Sequence, residues 1–177
     1  MAKLCENGIC TPKGFQASGI HCGIRKNRTK KDLALIYSEV PCNAAATYTL
    51  NKVKGAPIAV TKQHLQDGKA QAIICNSGNA NTCNANGVEI ATQMCALCAD
   101  ALQLASEDII VASTGVIGEP LSIDPFATHM EELVTKLSYE GGSDACEGIM
   151  TTDTFKKEFA VSFLLDGKEC HIGGMAK

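Results

Sequence analysis

The stretch AQAIICNSGNANTCNANGVEIATQMCALCADAL at residues 70–102, with DIIVAS at 108–113, predicts the centre of the fold. Its first residues and DIIVAS are short apolar runs bounded by turn residues, which is typical of buried strands. Between them, apolar residues recur at helical spacing: Val88, Ala91, Met94, Cys95, Cys98 and Leu102. Asn86 is placed to cap this helix, with Glu89 three residues on. The stretch therefore predicts an α/β fold.

Flanking segments extend this fold into one domain, for which 177 residues suffice. A second helix is predicted after Gly118-Glu119-Pro120, capped by Ser122 or Asp124 and ending near Leu137. KEFAVSFLL and KECHIG predict a closing hairpin around Asp166-Gly167. Further strands are predicted at LALIYS (33–38), TYTL (47–50) and PIAV (57–60).

Composition and charge exclude several classes of function. The net charge of −3 provides no basic field for nucleic acid, and an aromatic content of 5% without Trp disfavours base stacking. Neither a membrane-spanning run nor the apolar core of a signal peptide is present, so we expect a cytoplasmic protein. A cluster of basic residues predicts a solvated loop, with a phosphate or cofactor-binding patch as the alternative: Arg25, Lys26, Arg28, Lys30 and Lys31.

The ten cysteines are interpreted as reduced thiols that pack as small hydrophobic residues. Cys95 and Cys98 form a CxxC, but they lie inside the predicted helix, whereas a redox CxxC belongs at a helix N-terminus. A zinc site would need two further ligands, and no histidine pair has the spacing for it. The sequence therefore predicts neither a metal site nor a redox site.

Three turns are candidate functional sites. In VASTGVIGEP, residues 111–120, a strand leads directly to Thr114 and Gly115. A hydroxyl and a backbone N–H at one point can form an oxyanion hole, although a plain structural turn is the alternative. NSGNAN at 76–81 is interpreted as a turn held by Asn side chains. MTTDT at 150–154 is either a self-bonded turn or a substrate cradle, and no base stands beside its threonines.

These motifs occur together in a fixed order: GFQASGIHCGIRKNRTKKDLALIYSEVPCNAAATYTLNKVKGAPI, NSGNAN, ASTGVIGEPL and MTTDT. In this order and spacing they resemble the ornithine acetyltransferase family, also called arginine biosynthesis bifunctional glutamate N-acetyltransferase. The resemblance runs from about Thr11 to Lys177. It implies a sandwich of helices and sheets similar to the N-terminal-nucleophile hydrolases, made as a precursor that cleaves itself before a threonine.

The resemblance also implies a chemistry. The new N-terminal threonine of the β chain attacks the acetyl group of N-acetylornithine, and the acetyl group then passes to glutamate. Some members accept acetyl-CoA as well, and no other cofactor is implied. Residues 1–177 would be an α-chain domain, completed by a separate β chain that carries the nucleophile, usually in an α2β2 heterotetramer.

Four positions match the functional residues of that family. Thr114 and Gly115 match its oxyanion pair, while Thr151 and Lys177 match its substrate-binding residues. Two other classes of protein stay open. A related self-cleaving aminopeptidase would use the same oxyanion hole to hydrolyse peptides, and a non-catalytic domain would bind a small molecule or a metal.

Overall fold

The chain folds into two β-sheets and four helices. The computed structural model describes residues 2–177. The helices are α1 (Ala56–His64), α2 (Gly87–Leu102), α3 (Asp124–Thr135) and α4 (Gly142–Gly148). The strands are β1 (Lys3–Cys5), β2 (Phe15–Ile20), β3 (Leu33–Asn43), β4 (Lys69–Asn79), β5 (Ile109–Val116), β6 (Lys157–Leu165) and β7 (Lys168–Ala176).

The larger sheet has the strand order β2-β3-β4-β5. β3 is antiparallel to both of its neighbours, whereas β4 and β5 are parallel and are connected through α2. The strand–helix–strand unit predicted from residues 70–113 is therefore confirmed. β4 extends further than predicted, because its ladder continues through the NSGN part of the turn to Asn79.

Helices cover both faces of the larger sheet, which confirms the α/β prediction. On one face, α2 and α3 pack against inward-facing residues of β3, β4 and β5. The centre of this core is fully buried and includes Leu33, Leu35, Ile74, Met94, Cys95, Cys98, Ile109, Phe126 and Leu133. On the other face, α4 contributes Ala145 to a smaller core with Ala17, Ala34 and Ile36. The alternation along β3 explains this division, because successive side chains point to opposite faces.

The smaller sheet has the order β1-β6-β7 and is antiparallel. Its β6–β7 hairpin is the predicted one, and its turn residues Asp166 and Gly167 have φ values of 50° and 76°. The second predicted helix is also present: α3 begins at Asp124, whose N–H donates to Ser122 Oγ at 3.1 Å. Asn86 occupies the predicted cap position of α2, but its side chain makes no capping hydrogen bond.

Two of the predicted strands are wrong. TYTL at 47–50 has no regular secondary structure, and PIAV at 57–60 lies inside α1. The buried residues of α1 are Pro57, Val60, Thr61 and His64, which is the i, i+3, i+4, i+7 spacing of a helix. The four letters PIAV are too short a window to reveal this period, and a proline in the first turn favours a helix start.

The polar side chains of α1 cover the outer edge of β5. Thr61 Oγ1 donates to the Val111 carbonyl at 2.8 Å and accepts from the Val111 N–H at 3.3 Å. His64 Nδ1 lies 2.8 Å from the Ile109 carbonyl. These bonds satisfy backbone groups that an edge strand otherwise leaves unpaired. No helix within residues 2–177 is long and apolar enough to cross a membrane.

Candidate active site

The candidate site lies where the parallel strands β4 and β5 end side by side. Ser77 stands opposite Thr114 and Gly78 opposite Gly115, and the ladder becomes irregular at Asn79. The φ values of Gly78 and Gly115 are 102° and 139°, in the region that side chains disfavour. A methyl group on Gly115 would lie 2.6 Å from Asn79 N, which is too close for a stable contact. The backbone of β4 can therefore approach Gly115 this closely only because Gly115 has no side chain, whereas a methyl group on Gly78 would instead lie 2.7 Å from Arg25 Cγ.

Buried asparagines hold this turn in place. Asn76 Nδ2 donates to the Asn79 carbonyl at 2.9 Å, and Asn79 Nδ2 donates to the Glu119 carbonyl at 3.1 Å. The Asn81 N–H donates to Asn79 Oδ1 at 2.8 Å, and Asn81 Nδ2 donates to the Gly87 carbonyl at 2.8 Å. NSGNAN thus begins as the end of β4 and leaves the strand after Asn79, and its own amide side chains stabilise this change of direction. It connects the VIGEP segment to the start of α2, so it supports the glycine turn.

Thr114 and Gly115 differ in their exposure. Gly115 is exposed and lines a cleft of about 600 Å³, whereas Thr114 is half-buried and adjoins that cleft. Within residues 2–177, the Thr114 hydroxyl has no hydrogen-bond partner. It is therefore available to donate to an oxygen atom that reaches this end of β5.

The cleft brings together segments that are far apart in the sequence. Thr151 and Thr152 of the MTTDT turn line it together with the loop at residues 24–27. Gly78, Gly115, Val116 and Glu119 complete the lining. Two of the four predicted site residues, Gly115 and Thr151, therefore face the same cleft.

One basic residue of the loop has a structural role. Arg25 Nη1 donates to the Met150 carbonyl at 2.8 Å, and its Nη2 donates to the Thr151 carbonyl at 3.2 Å. The prediction of a solvated basic loop therefore misses Arg25, which attaches this loop to the MTTDT turn. Because Arg presents its donors in a fixed planar fork, it can bind two adjacent carbonyls at once.

Asp32 holds the same loop through hydrogen bonds to its backbone. Its fully buried carboxylate accepts the backbone N–H of Cys22 at 2.6 Å and that of Arg25 at 2.8 Å. His21 Nδ1 lies 3.1 Å from the second carboxylate oxygen. Sequence reasoning missed Asp32, although a carboxylate at the first position of the apolar run DLALI is a signal that could have found it.

Asp153 connects two of the predicted site residues, Thr151 and Lys177. Its Oδ2 accepts the Thr151 N–H at 3.2 Å and lies 3.6 Å from Lys177 Nζ. Its Oδ1 accepts from Lys157 Nζ at 2.8 Å. The hydrogen bond from Lys157, followed by that from the Thr151 N–H, holds the pKa of Asp153 well below its usual range. One carboxylate therefore positions both Thr151 and Lys177, a role that sequence reasoning did not assign.

Comparisons with known proteins bear on this arrangement. The model of the ArgJ family matches residues 16–177. This chain belongs to the ArgJ family. It is 47% identical to the arginine biosynthesis bifunctional protein ArgJ of Caldanaerobacter subterraneus over 99% of its own length, and 47% identical to that of Staphylococcus aureus over 96%. It spans only 43% and 41% of those two relatives.

Solved structures of the ArgJ family share the whole fold. The arginine biosynthesis bifunctional protein argJ of Bacillus halodurans superposes with a TM-score of 0.92 at 39% identity, covering 99% of this chain and 93% of that one. The ornithine acetyltransferase of Mycobacterium tuberculosis, solved as a complex with ornithine, gives 0.92 at 34% identity, covering 99% and 94%. The predicted family and fold are thus confirmed.

The cysteines of this ArgJ-family chain are free thiols, and many are buried. Desolvation raises the pKa of Cys95 and of Cys98 to about 12, and that of Cys75 also to about 12. These thiols stay protonated at neutral pH and are poor nucleophiles. Cys95 and Cys98 lie inside α2, as predicted, and pack in the main core. They act there as small apolar residues.

Proposed function

We propose that this chain is the α chain of a self-cleaving acyltransferase that moves the acetyl group of N-acetylornithine to glutamate. The observation that carries the proposal is the Thr114–Gly115 turn, which borders a cleft shared with Thr151. Membership of the ArgJ family and the names of its relatives support the substrate assignment.

In this proposal the nucleophile is the N-terminal threonine of a β chain. Its hydroxyl attacks the acetyl carbonyl and its own α-amine takes the proton, so that a tetrahedral oxyanion forms. The Thr114 hydroxyl and the Gly115 N–H donate to that oxyanion. Ornithine leaves with a proton on its amine, and the amine of glutamate then attacks the acetyl ester by the reverse sequence.

Thr151 and Lys177 are assigned to substrate binding. Both substrates carry an α-carboxylate, and a lysine ammonium is a suitable point charge for it. Lys177 pairs with Asp153 in the absence of substrate, at 3.6 Å. We propose that this contact keeps the ammonium beside the cleft until a substrate carboxylate arrives.

The partner and the location follow from the same proposal. The chain spans less than half of its curated relatives but more than nine-tenths of the two solved chains, which supports a protein made of two chains. We expect an α2β2 heterotetramer in the cytoplasm. Expression of the complete gene should give two bands on a denaturing gel, and the two chains should co-purify.

The test is an assay of the complete protein with N-acetylornithine and glutamate, with acetyl-CoA as an alternative donor and small peptides as competing substrates. Acetyl transfer supports the proposal, whereas peptide hydrolysis without transfer would favour the related aminopeptidase.

Thr114→Val should lower kcat by about 100- to 1000-fold with little change in KM, because one oxyanion donor is lost. Thr114→Ser retains the hydroxyl and serves as the matched control. Normal turnover of the Val variant would remove Thr114 from the mechanism.

A further inference from the structure

The two faces of the smaller sheet have different surroundings, as two consecutive glycines of β7 show. A methyl group on Gly173 would overlap the Gly8 carbonyl and lie 3.0 Å from Ile9 Cα. A methyl group on Gly174 would meet no atom within 4 Å. Since neighbouring residues of a strand point to opposite faces, one face packs on the segment at Gly8–Cys10 and the other is uncovered.

The uncovered face is apolar. Val161 in the central strand stands opposite Leu4 of β1 and Ile172 of β7. The side chains that share this face, hereafter the open face, are Leu4, Phe159, Val161, Phe163, Leu165, Cys170 and Ile172. Leu4 is 72% exposed, Phe159 62% and Ile172 60%. The charged residues of this face, Lys157 and Lys168, lie at its two ends.

Exposed aromatic and aliphatic side chains on three adjacent strands form a continuous patch, and such patches mark interaction sites. Isolated exposed apolar residues elsewhere on the chain, such as Leu50, do not have this arrangement. An apolar sheet face is stable when a second apolar layer packs on it, about 10 Å away. The structure therefore lacks one layer over the open face.

We propose that the open face is the docking surface for the β chain, which covers it with an apolar layer of its own. This inference rests on the division into two chains proposed above. The length of the relatives supplies the candidate: more than half of each curated protein lies outside the region that this chain matches. β7 is also an edge strand of this sheet and ends at Ala176, beside Lys177. The β chain would thus dock next to a residue of the proposed site.

Cys170 is a natural probe, because its side chain belongs to the open face. We would label the complete, unmodified protein with a thiol reagent and measure the rate at each cysteine by mass spectrometry. Cys83 is exposed and serves as the reactive reference. We expect Cys170 to react at least tenfold more slowly in the native protein than after denaturation. Equal rates in the two states would overturn the proposal.

Two matched variants test the same surface by association. Ile172→Lys places a charge at the centre of the open face, where burial without a partner is costly. Leu164→Lys is the control, because Leu164 is 72% exposed and points to the opposite face of β6. With a tag on the α chain, we expect Ile172→Lys to co-purify at least tenfold less β chain and to restore labelling of Cys170. Full co-purification with the Ile172→Lys variant would contradict the docking surface.

The outcomes separate this inference from the proposed function. If the protein transfers acetyl groups and both variants retain the β chain, the docking surface is wrong and the function stands. If Ile172→Lys alone loses the β chain while the parent protein transfers no acetyl group, the docking surface stands and the function is wrong.

Discussion

Substitution of Gly115 by alanine tests whether the close approach of β4 and β5 shapes the site. The added methyl group would lie 2.6 Å from both Asn79 N and the Gly78 carbonyl oxygen. Holding a non-glycine residue at a φ of 139° costs about 1–3 kcal/mol, and forcing a methyl group against packed atoms costs about 1–3 kcal/mol more. We therefore expect a loss of about 2–6 kcal/mol.

Gly118→Ala is the matched control, because Gly118 belongs to the same turn. Its φ is 82°, but a methyl group there would meet nothing within 4 Å. Only the conformational cost applies, roughly 1–2 kcal/mol. For a chain of this size, 1 kcal/mol corresponds to about 2–4 °C in Tm. Gly115→Ala should thus lower Tm by roughly 4–24 °C and Gly118→Ala by roughly 2–8 °C, with the larger loss for Gly115→Ala.

Turnover provides the second measurement of the same pair of variants. A displaced Gly115 N–H can no longer donate to the oxyanion, so kcat should fall by about 100-fold or more. Gly118→Ala should leave kcat close to that of the parent protein. The assay is acetyl transfer by the complete protein, with thermal unfolding measured on the same preparations. If Gly118→Ala destabilised the protein as much as Gly115→Ala, the argument from the backbone contact would be refuted.

Three further positions concern the charged residues that hold the segments around the cleft: Lys177, Asp153 and Asp32. Lys177→Ala should raise KM for both substrates, whereas Lys177→Arg keeps the positive charge and should leave KM close to that of the parent protein. An unchanged KM for the Ala variant would remove Lys177 from substrate binding. The lowered pKa of Asp153 stabilises the fold above the ordinary Asp pKa, and this effect is lost as pH falls. The Tm difference between the parent and Asp153→Asn should therefore shrink below about pH 4, whereas a constant difference would exclude Asp153 as its source. Asp32→Ala leaves the buried N–H of Cys22 and the half-buried N–H of Arg25 without an acceptor. It should lower the free energy of unfolding by about 2–6 kcal/mol, measured by denaturant unfolding, and raise KM, measured by steady-state kinetics.

The elements that were predicted correctly are those whose sequence signal lies within a few neighbouring residues. The helical spacing from Val88 to Leu102 lies within one helix, the Asp166-Gly167 turn joins two consecutive strands, and both are observed. PIAV failed because its helical period appears only when Thr61 and His64 are included. TYTL has strand-forming residues but no neighbouring strand, and strand propensity depends on such neighbours.

The candidate site was only partly predictable for a related reason. Thr114 and Gly115 end a recognisable strand, so their position could be read from the sequence. That Thr151 faces the same cleft depends on Arg25. Its guanidinium donates to the carbonyls of Met150 and Thr151, which lie 125 and 126 positions further along the chain. Asp32 acts through the N–H groups of Cys22 and Arg25, and Asp153 reaches Lys177 near the end of the chain; no local spacing indicates these partners.

The contacts of α1 with β5 have a consequence for assembly. Because Thr61 and His64 occupy the outer edge of β5, that side of the larger sheet cannot accept the strand of another molecule at Ile109 or Val111. β7 is an edge strand of the smaller sheet and forms its ladder with β6 on one side. Strand addition is thus blocked at this edge of the larger sheet but not at β7 of the smaller one. In the proposed two-chain protein, an α chain without its β chain would be exposed to self-association through the edge of β7.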